Sequence, residues 1–263
     1  ISFPAGGRVV HNPDRPLIKD LDSLLSPAKF LAFSSSGKAP VQYTRGCPYS
    51  CRFCSDHAVW RKRARTFSAA ALVDMIEEIT ATTGVREFTF VDGTFNISAK
   101  RVAEFCEEVL RRRLRILWDA LVRAGNLDGE LLALCRRAGC AQMNVGVESG
   151  SARVLEDLNK GVAPGEAARD IESIRRAGIA AVSFFCIGMP PETEEDLMET
   201  KRAILSMRHD YVIMHIFTPL PGSEYFEQLR NEGALEGHNY DLFGYKSGSN
   251  CFSRHLEIER FRP

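Results

Sequence analysis

Three cysteines lie within one eight-residue segment of this chain, Cys47-Pro48-Tyr49-Ser50-Cys51-Arg52-Phe53-Cys54. Thiols placed this tightly cannot all be core residues. Because Pro48 and Ser50 favour a turn over a helix, the three side chains are expected to leave one loop, a pattern typical of a metal centre. Three protein ligands are one fewer than a closed iron–sulfur cluster takes, so one iron of a [4Fe–4S] cubane would lack a protein ligand. Chemistry can occur at such an open position, as it does at the open position of catalytic zinc.

A structural zinc site is the alternative interpretation of this segment. His57 follows Cys54 by three positions, so the three cysteines and His57 could form a Cys3His set. Finger-like zinc sites usually pair Cys-x2-Cys units from two separate segments, whereas all the candidates here come from one. The spacing therefore favours an iron–sulfur cluster and leaves zinc open.

The remaining five cysteines stand singly in apolar or helical contexts. A disulfide framework belongs to small secreted chains, and this chain of 263 residues is neither small nor visibly secreted. Free cysteine is among the most buried residue types, so we expect these five to be small core residues. They are Cys106, Cys135, Cys140, Cys186 and Cys251.

Charge and hydropathy exclude several classes of protein. The hydrophobic fraction is 44% and the charged fraction 26%, which is ordinary globular usage, and no apolar run approaches the ~20 residues that span a bilayer. Lys+Arg and Asp+Glu both number 34, so the net charge is 0 and a generic nucleic-acid binder is disfavoured. The first residues lack the features of a signal peptide, so we expect a cytoplasmic location.

Strand-like and helix-like runs alternate along most of the chain, and this alternation predicts an α/β fold. Alternation at this period indicates a parallel sheet covered by helices, and six units predict a partial (β/α)6 TIM barrel, open on one side. The predicted strands are 41–44, 87–91, 116–122, 142–147, 180–187 and 211–217.

The predicted barrel also suggests where a site would lie and how the chain is divided. The cysteine loop, Asp92-Gly93, Glu148-Ser149 and Gly188 all follow strands, so they are expected to meet at one edge of the sheet. We expect residues 1–38 to be a lead-in from an upstream domain. Residues 39–232 would form the core barrel, and residues 233–263 a truncated C-terminal extension with a helix-like stretch at 255–261.

Over roughly residues 40–232 the chain resembles the radical SAM superfamily. The segment from Thr44 to Cys54 matches its C-x3-C-x-aromatic-C signature, and the partial barrel matches as well. In sequence detail the chain resembles the subgroup whose members often carry a cobalamin-binding domain upstream. Five segments carry that likeness: 90–95 (FVDGTF), 146–151 (GVESGS), 158–161 (LNKG), 187–193 (IGMPPET) and 218–222 (TPLPG).

The resemblance implies a specific chemistry. Cys47, Cys51 and Cys54 would each hold one iron of a [4Fe–4S] cluster, and S-adenosylmethionine (SAM) would chelate the fourth through its amino and carboxylate groups. The reduced cluster would cleave the sulfonium C–S bond, and a 5′-deoxyadenosyl radical would then abstract a hydrogen atom. Further expectations are cobalamin on an upstream domain, an electron donor such as flavodoxin or ferredoxin, and methyl transfer or rearrangement on a small metabolite.

The resemblance also implies residues that bind SAM. Phe53 would shield the cluster and pack on adenine. Asp92 and Gly93 would offer backbone oxygens to the SAM ammonium, and only this backbone role transfers because the family's Gly-Gly-Glu is absent here. A simple core aromatic is the alternative for Phe53.

The later strand ends would contact the rest of SAM. Glu148 and Ser149 would bind ribose or the amino group, Lys160 would neutralise the carboxylate, and adenine would approach the backbone at Ile187 and Gly188 because glycine permits close contact. The alternative for Glu148 is a structural ion pair with an arginine. The alternative for Lys160 is a solvated lysine at a helix end, and that for Gly188 is an ordinary turn glycine.

Three further hypotheses stay open at this point. A methylthiotransferase acting on tRNA or protein usually has extra cysteines upstream, and the residues before Thr44 contain none. A zinc-stabilised binding domain without catalysis is the non-enzyme alternative. The basic run Arg61, Lys62, Arg63 and Arg65 could hold an anionic substrate or an upstream domain.

Overall fold

A parallel sheet forms the centre of the molecule, for which the computed structural model describes residues 2–28, 37–125 and 127–236. The strands, in chain order, are β1 (Ser2–Ala5), β2 (Arg8–His11), β3 (Lys38–Val41), β4 (Thr44–Arg45), β5 (Arg65–Thr66), β6 (Glu87–Phe90), β7 (Leu117–Arg123), β8 (Cys140–Glu148), β9 (Ala180–Ile187) and β10 (Tyr211–Ile216). In the described ranges the main sheet has six strands in the order β3-β6-β7-β8-β9-β10, and each neighbouring pair is parallel.

Helices connect these parallel strands. They are α1 (Asp56–Trp60), α2 (Ala69–Thr83), α3 (Ala99–Arg111), α4 (Gly129–Arg137), α5 (Ala152–Asp157), α6 (Pro164–Arg176), α7 (Glu194–Ser206) and α8 (Glu224–Asn231). The predicted partial (β/α)6 barrel is therefore confirmed.

Local sequence explains where several helices begin and end. The hydroxyls of Ser68 and Ser98 accept the backbone N–H of the third residue after them, and Thr193 forms the predicted capping box with Asp196. Past the end of α4, Gly139 has a φ of 94°, and a Cβ there would collide with the carbonyl of Ile116. Glycine is therefore required where the chain turns from α4 into β8.

The first strand of the barrel differs from the prediction. The expected strand 41–44 is divided: β3 ends at Val41 and pairs with β6, whereas Thr44 begins β4, which pairs with β5 beyond the cysteine loop. The expectation was wrong because the pairing with β6 ends at Val41, a limit that the local sequence does not show. The expected lead-in contains the β1–β2 hairpin, and Leu21, which follows the hairpin in the lead-in, is buried in the main core.

Aromatic side chains pack tightly beneath the first strands. Phe90 of β6, Phe105 of α3 and Trp118 of β7 meet with ring centroids 5.3–5.7 Å apart, and Tyr43 and Phe95 join the same cluster. Tyr43 also donates its hydroxyl to the backbone carbonyl of Arg101 at 2.8 Å. This cluster fixes the chain just before the cysteine loop.

The opposite edge of the sheet is more exposed. Tyr211 and Met214 of β10 are 66% and 51% exposed. Among the described residues, no helix is both long and apolar enough to cross a membrane. The predicted helix-like stretch 255–261 and Cys251 lie outside the described residues, as does most of the expected C-terminal extension.

Candidate active site

The base of the cysteine loop is closed by two interactions. The short β4–β5 pair joins Thr44 to Thr66 across the loop. The carboxylate of Asp92, directly after β6, accepts the backbone N–H groups of Tyr43 and Thr44. Asp92 is buried, and burial raises its pKa to about 7 against the effect of these hydrogen bonds. Its side chain thus holds the start of the cysteine loop.

The end of β6 packs directly on the first cysteine. A Cβ on Gly93 would collide with the carboxylate of Asp56 and would lie 3.6 Å from the Cβ of Cys47. Thr94 donates its hydroxyl to the carbonyl of Gly93 at 2.7 Å, and its Oγ1 lies 3.5 Å from the Sγ of Cys47. The predicted meeting of the cysteine loop with Gly93 is present.

The three loop cysteines are free thiols. Cys51 is buried, Cys47 and Cys54 are partly exposed, and the backbone N–H of Cys54 donates to the carbonyl of Cys51 at 3.1 Å. Burial raises the pKa of Cys54 to about 11, and the charges of Asp56, Cys51 and Cys47 raise it further. This donor set suits a cluster whose irons each take one thiolate.

The Cys3His zinc set is not assembled. Within the described ranges, no three His, Cys, Asp or Glu side chains converge as a single metal ion requires. His57 lies on α1 beside Asp56, and its buried Nδ1 has no hydrogen-bond partner among the described residues. A cubane differs from a single ion because its three cysteines bind different irons.

Arg52, between the second and third cysteines, clamps the loop to two helices. Its guanidinium donates to Glu224 at 2.7 Å, to Asp157 at 2.8 Å and to Gln228 at 3.0 Å. It also lies over the ring of Tyr225, with its Cζ 4.7 Å from the ring centroid. Arg52 therefore ties the loop to the end of α5 and to α8.

A second arginine, Arg123 at the end of β7, contacts the same loop from inside the barrel. Its Nη1 lies 3.6 Å from the Sγ of Cys51, and its Cζ lies 3.9 Å from the ring centroid of Tyr49. Asn96 exchanges two 2.8 Å hydrogen bonds with the Arg123 backbone. Arg123 was not among the predicted site residues, although it is a polar residue at the end of a strand, like those that were.

Glu148 and Lys160 form a buried ion pair beside Phe53. The Lys160 Nζ lies 2.7 Å from the Glu148 Oε1 and 6.0 Å from the centroid of the Phe53 ring. Lys160 is only 6% exposed, so it is not the solvated helix-end lysine of the alternative interpretation. Glu148 has a φ of 68°, an uncommon conformation for a non-glycine residue, which often marks functional positions.

Ser149 and the β9 end have other contacts. The Ser149 hydroxyl is fully buried and lies 3.1 Å from the Thr200 Oγ1. The Ile187 carbonyl accepts the N–H of Phe217 at 2.8 Å, and the Gly188 N–H donates to the Glu192 carboxylate. Gly188 has a φ of 81°, as a tight turn requires. Glu192 is buried, which raises its pKa to about 7.

The basic run after α1 contacts the lead-in. Arg61 pairs with Asp14 at 2.6 Å, and Arg65 donates to the carbonyl of Ile18 at 2.8 Å while lying over Trp60. These contacts show two of the four basic residues holding the chain's own N-terminal segment.

The fold and the loop together define a partial (β/α) barrel with a cysteine-rich cofactor loop at the carboxyl edge of its strands. Residues 41–204 match the sequence model of the Radical SAM superfamily, and the chain belongs to this family. Its members are enzymes that use a [4Fe–4S] cluster and SAM.

Known proteins similar to the chain agree with this assignment. An uncharacterized methyltransferase of Pyrococcus horikoshii is 30% identical over 233 residues, which cover 86% of this chain and 51% of that protein. The anaerobic magnesium-protoporphyrin IX monomethyl ester cyclase of Rubrivivax gelatinosus is 31% identical over 248 residues, 91% of this chain and 44% of that protein. The chain thus spans about half the length of these relatives.

A solved structure shares the fold. It is that of a cobalamin-dependent S-adenosylmethionine radical enzyme, OxsB, with aqua-cobalamin and S-adenosylmethionine bound. The TM-score is 0.72 at 19% identity, and the match covers 90% of this chain and 41% of that chain.

Proposed function

We propose that this chain is the catalytic barrel of a cobalamin-associated radical SAM enzyme that methylates or rearranges a small-molecule substrate. The names of the two relatives, a methyltransferase and a cyclase of a small tetrapyrrole ester, support this reaction class. Cobalamin binding by the similarly folded enzyme supports the expected cobalamin on another part of the polypeptide. A flavodoxin- or ferredoxin-like electron donor and a cytoplasmic location belong to the same proposal.

Cys47, Cys51 and Cys54 are the proposed ligands of the cluster. When bound and reduced by one electron, the cluster supplies the electron that cleaves the sulfonium C–S bond of SAM. The protein holds the loop rigidly through Asp92 on one side and Arg52 on the other. Such anchoring keeps the three thiols in position before any cofactor binds.

The residues proposed to bind SAM fall into two groups. Gly93 lies against Cys47, and its backbone and that of the preceding Asp92 suit the SAM ammonium, which needs acceptor oxygens. Phe53 and Lys160 lie near each other, and there a flat ring and a buried cation suit adenine and the carboxylate. Because Glu148 already pairs with Lys160, a SAM carboxylate would share that cation, and Glu148 would remain free to accept from a ribose hydroxyl or the amino group.

The remaining predicted residues are proposed to have more limited roles. The contacts of Ser149 with Thr200 favour a structural role for its hydroxyl. Ile187 and Gly188 are proposed to approach adenine through their backbone, since Gly188 presents no side chain. The observation that carries the whole proposal is the packing of Gly93 and Thr94, at one strand end, on Cys47.

Anaerobic reconstitution of the full-length protein with iron and sulfide tests the proposal. A brown protein with about four iron atoms per chain is expected, and with dithionite it should convert SAM to 5′-deoxyadenosine. A methyl-transferring enzyme supplied with cobalamin should also form S-adenosylhomocysteine. A variant with alanine at Cys47, Cys51 and Cys54 is the matched control. A colourless wild-type protein that holds zinc and leaves SAM intact would refute the proposal.

A further inference from the structure

Arg123 is a buried cation with an unusual set of neighbours. It is 8% exposed, and no carboxylate oxygen in the described part of the chain lies within 4.0 Å of its guanidinium. Its side chain contacts the Sγ of Cys51, 3.6 Å from Nη1, and the ring of Tyr49, whose centroid lies 3.9 Å from Cζ. A buried charge is costly unless it is paired, so this cation requires a negative partner at the loop.

The position of the guanidinium is fixed from several directions. Asn96 binds the Arg123 backbone on both its N–H and carbonyl sides, and the ring of Tyr49 covers the guanidinium. A Cβ on Gly161 would lie 3.4 Å from the Arg123 Nη2, so the absence of a side chain there allows the close approach. The guanidinium therefore has little freedom to turn away from Cys51.

Arg52 provides a contrast within the same loop. Its guanidinium donates hydrogen bonds to Asp157, Glu224 and Gln228. Its charge is already balanced by carboxylates, whereas that of Arg123 is balanced by none in the described residues. Two arginines at one loop thus have different electrostatic roles.

We propose that Arg123 is a positioning residue that donates to the sulfur of Cys51 and raises the reduction potential of the bound [4Fe–4S] cluster. This inference rests on the proposed function, because it takes Cys51 as a cluster ligand. Three thiolates outweigh the 2+ charge of the oxidised core, so the ligated cluster is an anion, and the one electron added on reduction makes it more negative. A fixed cation at a ligand sulfur stabilises the reduced form more than the oxidised form.

Potentiometric titration with dithionite, followed by electron paramagnetic resonance of the reduced cluster, tests this role. Arg123→Gln is expected to reduce the equilibrium constant for one-electron reduction about tenfold, which corresponds to a potential about 59 mV lower. Arg123→Lys keeps the charge but not the planar fork, so a shift of about threefold in the same direction is expected. Arg176→Gln removes an exposed arginine that pairs with Glu172 on α6, so it is the matched control and should leave the potential unchanged.

The outcomes separate this inference from the function on which it rests. An unchanged potential in a fully loaded Arg123→Gln variant would overturn the role of Arg123. If the Arg123→Gln variant holds no cluster, the Arg123→Lys variant is measured instead. An unchanged reduction potential in Arg123→Lys would also overturn the role of Arg123. Failure of the wild type to assemble a four-iron cluster would instead refute the proposed function. A wild type that assembles the cluster but leaves SAM intact would do the same, with the potential shift still measurable.

Discussion

Two groups of three cysteines occupy opposite environments in this molecule. The loop group, Cys47, Cys51 and Cys54, comes from one segment at the carboxyl edge of the sheet, and two of its members are partly exposed. The core group comes from two helices and a strand and is fully buried; its members are Cys106, Cys135 and Cys140. In the core group, the Sγ atoms of Cys106 and Cys135 lie 3.8 Å apart and form no disulfide.

The difference shows that the surroundings decide what a thiol can do. A hydrogen bond with Cys135 and burial raise the pKa of Cys106, and burial raises that of Cys140 well above its usual value. Both stay protonated at neutral pH, so the core group behaves as small hydrophobic side chains. In the loop group burial also raises the pKa of Cys54, but the guanidinium of Arg123 contacts the sulfur of Cys51, and a cationic donor of this kind stabilises a thiolate.

Exchanging one cysteine of each group for alanine gives the largest expected effect. Cys51→Ala should lose most of the iron and slow SAM cleavage at least about a thousandfold, since a lost ligand leaves the cluster incompletely held. Cys106→Ala should retain the wild-type iron content. Iron analysis and 5′-deoxyadenosine formation after reconstitution measure both, and loss of iron from the Cys106 variant would contradict the division into two groups.

Thiol labelling of the iron-free protein should separate the groups by rate. Cys47 and Cys54 are partly exposed, so iodoacetamide should modify them on the order of a hundredfold faster than Cys106, whose labelling requires opening of the core. Peptide mass spectrometry over a time course gives the rates. In urea, where the chain is unfolded, the difference should disappear; a similar rate for both groups in the native protein would show that the core opens readily.

Local patterns predicted much of the fold correctly. Ser68, Ser98 and Thr193 begin helices because a side-chain oxygen can satisfy a free N–H of the first turn, which depends only on nearby residues. The predicted end of the first strand was wrong because pairing with β6 ends at Val41. That limit depends on a strand that is distant in sequence. The β1–β2 hairpin was missed because its strands are exposed and short.

The site could be predicted only where its residues are close in sequence. The cysteine loop is local, and its contact with Gly93 follows from the general rule for strand ends. The burial of Lys160 depends on its ion pair with Glu148, twelve positions earlier, and the contact of Arg123 with Cys51 spans 72 positions. Polar residues that pair across such separations have no periodic signal in the sequence.

Replacing a core thiol with a hydroxyl should destabilise the fold without affecting the loop. Cys106→Ser buries a more polar group beside Cys135 in the core, so it is expected to lower the free energy of unfolding by about 2 kcal/mol. Cys106→Ala should lower the free energy of unfolding by about 1 kcal/mol, through lost packing alone. Urea unfolding of the iron-free proteins measures both; a serine variant as stable as the wild type would show that the core is less dry than the structure indicates.

The smallest expected effect concerns what holds each group in place. The loop group is fastened by the ion pairs of Arg52, which is 24% exposed in its side chain, whereas the core group is held by packing. Arg52→Gln should therefore lower the free energy of unfolding by about 1 kcal/mol, and the loss should shrink in 1 M salt because screening has already weakened the wild-type pairs. The loss caused by Cys106→Ala should not shrink. If both losses respond to salt in the same way, the loop is fastened by packing as the core is, and the clamp assigned to Arg52 is wrong.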